Sequence, residues 1–131
     1  RKTRSLVIEK LKLIFSSSSG LKIFMSLGMT GVFIHLAACL WIYIEGMEIG
    51  RSSWLSESAF REETQGYPLD NGRIYLLSVY WTVVTLVSVG FGDITPKNTV
   101  EKIFTVCFLI FGVGIYTSTI SLLSSLFFDP E

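Results

Sequence analysis

The sequence predicts an all-α membrane protein, with two transmembrane helices flanking a re-entrant helix and an extended, glycine-containing loop. Half of its 131 residues are hydrophobic and only 17% are charged, and its mean hydropathy is +0.53. These values argue against a disordered chain and against an ordinary soluble domain. Two apolar segments are long enough to cross a bilayer, and a third segment between them is too short.

The distribution of charge predicts the orientation in the membrane. The formal net charge is zero, but basic residues dominate the N-terminal end and acidic residues dominate positions 45–73. They are Arg1, Lys2, Arg4, Lys10 and Lys12 at the N-terminal end, and Glu45, Glu48, Glu57, Glu62, Glu63 and Asp70 in the later segment. The positive-inside rule places the basic end in the cytoplasm and the acidic segment outside. We therefore expect an integral protein of the plasma membrane with cytoplasmic termini, whose basic cluster contacts lipid headgroups rather than nucleic acid.

Residues 1–20 are predicted to form a cytoplasmic or interfacial linker helix. Val7, Leu11 and Ile14 share one helical face, and a serine run that ends at Gly20 breaks or bends the helix. Two interpretations stay open. The segment is either a surface helix at the membrane interface or a linker that transmits motion from an upstream element.

Residues 21–44 form the predicted outer helix, which at roughly 36 Å is long enough to cross the hydrocarbon core. His35 is its one ionisable group deep in the span. Because an unpartnered histidine is costly there, we expect it to face protein. A packing role is favoured over a proton sensor. Trp41 and Tyr43 fit the aromatic belt at the outer interface.

Residues 45–73 form a polar extracellular segment, which we call the turret. Ser52 or Ser53 is a candidate cap for a short helix that runs through Glu63, and the residues expected to pack downward are Trp54, Leu55 and Ala59. The turret contains no catalytic arrangement. Its carboxylates make the nearby membrane surface more negative, which favours the entry of cations.

Residues 74–87 are apolar but too short to span a membrane, which predicts a re-entrant helix. Such a helix ends at membrane depth only where it is buried in protein or lines water. The negative end of its dipole then favours a cation. The chain is expected to return outward through a loop that contains Asp93 and Pro96.

The stretch Ser88-Val89-Gly90-Phe91-Gly92 follows this helix. When an extended backbone points its carbonyls the same way, the carbonyl oxygens can replace the water around a potassium ion. Gly90 and Gly92 supply the positive φ values that such a backbone needs. The alternative is a simple glycine turn between two membrane helices.

Residues 99–128 form the predicted inner helix, which contains the second span from Ile103 to Phe128. Gly112 and Gly114 lie near its middle, where they permit either close packing or bending at a gate. Its lower half is polar and predicts contact with a water-filled cavity. These polar residues are Tyr116, Thr117, Ser118, Thr119 and Ser121.

The order of these segments resembles the pore domain shared by tetrameric potassium channels. Within that superfamily it is most similar to the branch with cyclic-nucleotide-binding-type domains, in particular the ether-à-go-go group. Residues 35–41 resemble that branch's His-Trp-x-Ala-Cys-x-Trp, and residues 88–92 have its Ser-Val-Gly-Phe-Gly form of the TVGYG filter. Residues 101–104 match the start of its inner helix, with Gly112 and Tyr116 also in place.

The chain departs from the group at several positions. Asp93 replaces the asparagine usual there and restores the aspartate of other potassium channels, while Leu36 replaces a tryptophan. Val87 stands where many potassium channels have threonine. Residues 119–121 replace the Pro-x-Pro bend of another voltage-gated branch. These differences bear on the subfamily and not on the superfamily.

The resemblance implies a potassium-selective channel pore without a covalent cofactor. Potassium ions would bind to the backbone carbonyls of Ser88, Val89, Gly90 and Phe91, with Gly92 completing the selectivity filter. The residues implied in supporting the filter are Tyr80, Trp81, Thr85 and Asp93, and those implied in gating are Gly112 and Gly114. The resemblance also implies a homotetramer in lipid, with a voltage-sensing domain before Arg1 and a cyclic-nucleotide-binding-type domain after Glu131.

Other functions remain open on the sequence. A non-selective cation channel of the same architecture is the main alternative, because some relatives with a similar filter also pass sodium. A membrane scaffold or accessory subunit with a vestigial filter is a second alternative. An enzyme is disfavoured, because the one histidine lies in a span and the sequence shows neither a nucleophile–base pair nor a metal-ligand cluster.

Overall fold

The computed structural model describes residues 5, 6, 8, 9, 18–45, 47, 52–58 and 70–128. Three helices make up most of this part of the chain: α1, Ser18–Glu45; α2, Asn71–Leu86; and α3, Thr99–Phe128. Within α1 and α3, the stretches Gly20–Glu45 and Thr99–Ser125 are long and apolar enough to cross a membrane. The predicted all-helical architecture, with two long apolar helices around a shorter one, is confirmed.

The α2 helix begins at Asn71, three residues before its predicted start, and ends at Leu86. Asp70 has an extended backbone, and its Oδ1 accepts the N–H of Arg73 at 3.0 Å. This carboxylate caps the first turn. The Asn71-Gly72 pair, a dipeptide typical of turns, therefore lies in the first turn of the helix. The inner helix has its predicted bounds, and α1 extends the predicted outer helix by three residues at its start and by one at its end.

A short helical segment at 54–58 is the described part of the turret. Ser53 is its cap: the Ser56 N–H donates to Ser53 Oγ at 3.1 Å, and the Ser53 N–H donates to Ser56 Oγ at 2.9 Å. This reciprocal pair confirms the predicted helix start. The predicted continuation to Glu63 lies outside the described residues, as does most of the linker at 1–17.

An aromatic stack forms the core and joins all of these elements. The Trp41 ring from α1 lies against Trp81 from α2, Trp54 from the 54–58 segment and Phe104 from α3. Phe108 extends the stack along α3. The assignment of Trp41 to the interfacial belt is wrong, because its side chain is fully buried in this stack. Tyr43 stays exposed, as expected.

A polar contact joins the N-terminal half of α1 to the C-terminal half of α3. The hydroxyls of Thr30 and Thr119 are 2.8 Å apart, and Ser26 Oγ lies 3.4 Å from the same threonine. Thr119 was predicted to face a water-filled cavity, but it is buried against α1. Thr117 and Ser118 are exposed and donate to carbonyls one turn earlier in their own helix.

Candidate functional site

The end of α2 leads directly into the candidate filter at 88–92. The Ser88 N–H donates to the Thr85 carbonyl at 3.1 Å, and the Val89 N–H donates to the Val84 carbonyl at 3.0 Å. Ser88 has a φ of 61°. These two bonds and one left-handed residue form a Schellman motif, in which the left-handed position is usually glycine. The helix therefore ends by using its last carbonyls to hold the amides of the next residues.

This ending determines where the first filter carbonyls point. The Gly90 N–H also donates to the Val84 carbonyl, at 3.3 Å. Three successive amide groups thus point back toward α2. In a planar trans peptide the carbonyl points away from the N–H. The carbonyls of Val87, Ser88 and Val89 are therefore directed away from the helix.

The sign of φ alternates along the filter. It is 61° at Ser88, 59° at Gly90 and 74° at Gly92, and the two residues between them are not among the positive-φ residues. Alternating left- and right-handed residues keep successive peptide groups facing one way, which is the arrangement that a row of ion-binding carbonyls requires. The positive φ predicted for both glycines is confirmed. The positive φ of Ser88 was not predicted, although a position directly after a helix end is a signal for a left-handed residue.

Tyr80 and Asp93, two of the residues that the resemblance implies in supporting the filter, are hydrogen-bonded to each other. The Tyr80 hydroxyl donates to Asp93 Oδ2 at 2.7 Å. This bond, with smaller contributions from desolvation and from the carboxylate charge, raises the pKa of the Tyr80 phenol above its usual value of 10.0. The bonded form is thus favoured below that raised pKa and is lost as the pH rises through it. At neutral pH the phenol stays protonated and donates.

Trp81 does not accompany Tyr80 at the filter. Its ring is buried in the aromatic stack, parallel to Trp41 and tilted against Phe108. In this chain Trp81 holds α2 against α1, and its role in supporting the filter stays a prediction. Thr85 touches the filter through its backbone carbonyl, which accepts the Ser88 N–H.

The two inner-helix glycines differ in their surroundings. A Cβ atom at Gly112 would lie 2.9 Å from Leu86 Cδ1, whereas a Cβ at Gly114 would meet nothing within 4 Å in this chain. Leu86 is the buried last residue of α2. Gly112 therefore allows α3 to pack closely against the helix end that carries the filter.

His35 has the protein partner that was predicted for it. Its Nδ1 lies 2.8 Å from the hydroxyl of Tyr75 on α2, and its Nε2 lies 3.8 Å from Cys39 Sγ on the next turn of α1. Among the residues that the structure describes, no group of three or more histidine, cysteine, aspartate or glutamate side chains is placed to hold a metal ion.

Glu101 contacts the loop that follows the candidate filter, although the sequence predicted no functional role for it. Its side chain is fully buried between the 54–58 segment and the loop that follows the filter. Asn98 caps α3 by accepting the Glu101 N–H at 2.8 Å. The spacing of a cap residue and a glutamate three positions later is the signal that would have drawn attention to it.

Comparison with known proteins places these features in a family context. Residues 29–129 match the family model Ion_trans_2, described as an ion channel. The voltage-gated delayed rectifier potassium channel KCNH1 of Rattus norvegicus is 31% identical over 117 residues, which cover 74% of this chain and 12% of that protein. The potassium voltage-gated channel unc-103 of Caenorhabditis elegans is 31% identical over 104 residues, covering 70% of this chain and 12% of that protein.

A plant protein is similar at the same level. The potassium channel AKT1 of Arabidopsis thaliana is 32% identical over 85 residues, which cover 63% of this chain and 9% of that protein. The chain therefore spans only a small part of the length of the curated relatives that it matches.

Proposed function

Because the chain belongs to the ion channel family of Ion_trans_2, we propose that it forms a potassium-selective pore that conducts K⁺ passively across a membrane. The resemblance to potassium channels of the ether-à-go-go group is confirmed by the matches to KCNH1 and to KCNH2 of Oryctolagus cuniculus. One observation carries the proposal: a backbone with alternating φ signs follows α2, with its first carbonyls directed away from that helix.

The proposed ion ligands are the backbone carbonyls of the filter, contributed by Ser88, Val89, Gly90 and Phe91. A carbonyl row on one strand surrounds only part of an ion, so several chains must contribute. We therefore propose a homotetramer with cyclic symmetry. Selectivity then depends on the number, field strength and spacing of the carbonyls that replace water.

Two contacts within the same chain are proposed to control this filter. The Tyr80 hydroxyl and the Asp93 carboxylate are joined at the outer end of the filter. Gly112 contacts the inner end of α2 through Leu86. We assign the first contact to support of the filter and the second to gating. Gly114 is left as a secondary gating candidate.

The gating stimulus is proposed from the relatives. Three of the four relatives named above are called voltage-gated, and the match covers a small part of each of the four. We propose that residues beyond the matched region sense voltage or bind a regulatory nucleotide, and that the termini of this chain connect to them on the cytoplasmic side. We also propose the plasma membrane as the location, with lipid around α1.

Reversal potentials in mixed sodium and potassium test the proposed function. The current through purified protein in planar bilayers should reverse near the potassium equilibrium potential. A reversal potential that follows sodium as closely as potassium would instead indicate a non-selective cation channel. Mass measurement in mild detergent, with four chains expected, tests the assembly separately.

A further inference from the structure

Glu101 is a fully buried carboxylate in the first turn of α3. Its two oxygens accept from two different parts of the chain: the Trp54 N–H donates to Oε1 at 3.2 Å, and the Lys97 N–H donates to Oε2 at 2.7 Å. Trp54 is the first residue of the 54–58 segment, and Lys97 lies in the loop between the filter and α3. A buried carboxylate is costly unless hydrogen-bonded, and here both oxygens are.

Capping of the α3 N-terminus does not explain the hydrogen bonds of the Glu101 carboxylate. In a capping box, the glutamate three residues after the cap reaches back to the cap residue's own N–H. Here Asn98 is the cap and its Oδ1 accepts the Glu101 N–H. The Glu101 carboxylate is directed instead to Trp54 and Lys97. The side chain therefore joins separate elements and does more than close its own helix turn.

The elements that Glu101 joins are themselves fixed. The Trp54 indole N–H donates to the Trp41 carbonyl of α1 at 3.1 Å, and its ring stacks on Trp41. The Lys97 ammonium pairs with Glu57 of the same turret segment at 2.6 Å. Four residues before Lys97, Asp93 is held by Tyr80. The loop after the filter is thus held at Asp93 by α2 and at Lys97 by Glu101.

We propose that Glu101 is a positioning residue for the selectivity filter: its buried carboxylate clamps the loop that leaves the filter to the 54–58 segment and to α3. This inference rests on the proposed function, since it assigns Glu101 a part in keeping the pore conductive. A carboxylate suits this role because both of its oxygens only accept, and two amide donors reach it from different elements. Glutamine would turn an NH₂ group toward one of these donors.

The test compares Glu101→Gln with Glu57→Gln. Both variants remove one carboxylate near Lys97, but only Glu101 is buried and bonded to the loop backbone. With Glu101→Gln, we expect the potassium current to decline about tenfold faster during sustained opening, as the loss of one charge-assisted hydrogen bond would produce. Raised external potassium should restore the current, because ions in the filter oppose its collapse. Glu57→Gln weakens a partly exposed ion pair, so it should change the rate of decline much less than Glu101→Gln does.

A second variant and a second readout keep the outcome decisive. Glu101→Asp retains the charge in the first helix turn but shortens the reach, so it should also speed the decline. Amide hydrogen exchange at Lys97 should be slow in the parent and faster in both Glu101 variants, and this holds even for protein that passes no ions. If assembled variants keep the parent's decline rate, or if neither variant assembles, the positioning role is refuted. A parent without potassium current but with a protected Lys97 amide would refute the proposed function alone.

Discussion

The indole rings of Trp41 and Trp81 lie parallel, with centroids 3.8 Å apart and planes 3° from each other. The contact joins the outer helix to the helix that carries the filter. Both side chains are buried, and Trp54 and Phe104 lie against the Trp41 ring as well. Aromatic packing therefore holds α2, the helix that precedes the candidate filter, against α1.

Replacing Trp41 by alanine should destabilise the protein strongly. Truncation of a large buried aromatic side chain costs about 3–5 kcal/mol, and here it removes the ring shared by four elements. Thermal unfolding of the detergent-solubilised protein would measure the effect. Tyr43→Ala is the matched control, because Tyr43 lies on the same helix with an exposed side chain. Equal losses for the two variants would show that the stack does not carry this stability.

Gly112→Ala should shift the balance between open and closed states while leaving ion selectivity unchanged. The added methyl group would lie 2.9 Å from Leu86 Cδ1, so Leu86 or α3 must move. Alanine also favours a straight helix by about 1 kcal/mol relative to glycine. Single-channel open probability is the measurement.

Gly114→Ala controls for helix propensity, because it makes the same chemical change where no neighbouring atom of this chain lies within 4 Å. Its effect on open probability should be smaller. Altered selectivity with unchanged gating in Gly112→Ala would contradict the assignment.

Tyr80→Phe should weaken the outer end of the filter. The change removes the hydroxyl that donates to Asp93 at 2.7 Å, so this carboxylate loses one charge-assisted hydrogen bond. We expect faster loss of current during sustained opening, recorded at fixed external potassium. Tyr75→Phe is the control: it removes another hydroxyl of α2, one that contacts His35 and not Asp93. This variant should leave the rate of current loss unchanged. Equal acceleration in both variants would argue against a specific brace.

Phe91→Tyr should slow the loss of current. The family resemblance implies that a tyrosine hydroxyl at this position would reach aromatic residues of the re-entrant helix, and such a bond contributes about 0.5–1.5 kcal/mol. Phe91 has no hydroxyl, so the filter relies on other contacts, including that between Tyr80 and Asp93. Recordings under long activating conditions measure the rate. Faster decline in Phe91→Tyr, or no decline in either form, would show that the hydroxyl does not limit filter stability.

The sequence was sufficient for the arrangement of helices and for the positive φ values at Gly90 and Gly92, because both depend on local patterns, but it did not predict the positive φ at Ser88. Apolar length marks a membrane span, and a glycine at every second position marks the positive φ values at Gly90 and Gly92. The inner helix bounds also agree with the structure. The early start of α2 was missed, because Asn71-Gly72 resembles a turn unless the capping bond of Asp70 is known.

Contacts between distant residues were not predictable in this way. Trp41 and Trp81 are forty residues apart in sequence, and either position alone is compatible with an interface or with a filter contact. Glu101 resembled an ordinary charge near a helix start, yet its partners Trp54 and Lys97 come from different elements. Which side chain faces which helix depends on the packing of the whole chain. The residue pattern along one segment therefore does not predict these contacts.

Ion flux into liposomes tests the central claim most directly. Purified protein should carry potassium down its gradient and exclude sodium, because the proposed carbonyl row replaces the hydration shell of potassium. Gly90→Ala should abolish this flux, since the φ of 59° at Gly90 is strained for any residue with a Cβ atom. Sodium flux equal to potassium flux, or parent protein that passes neither ion, would contradict the account.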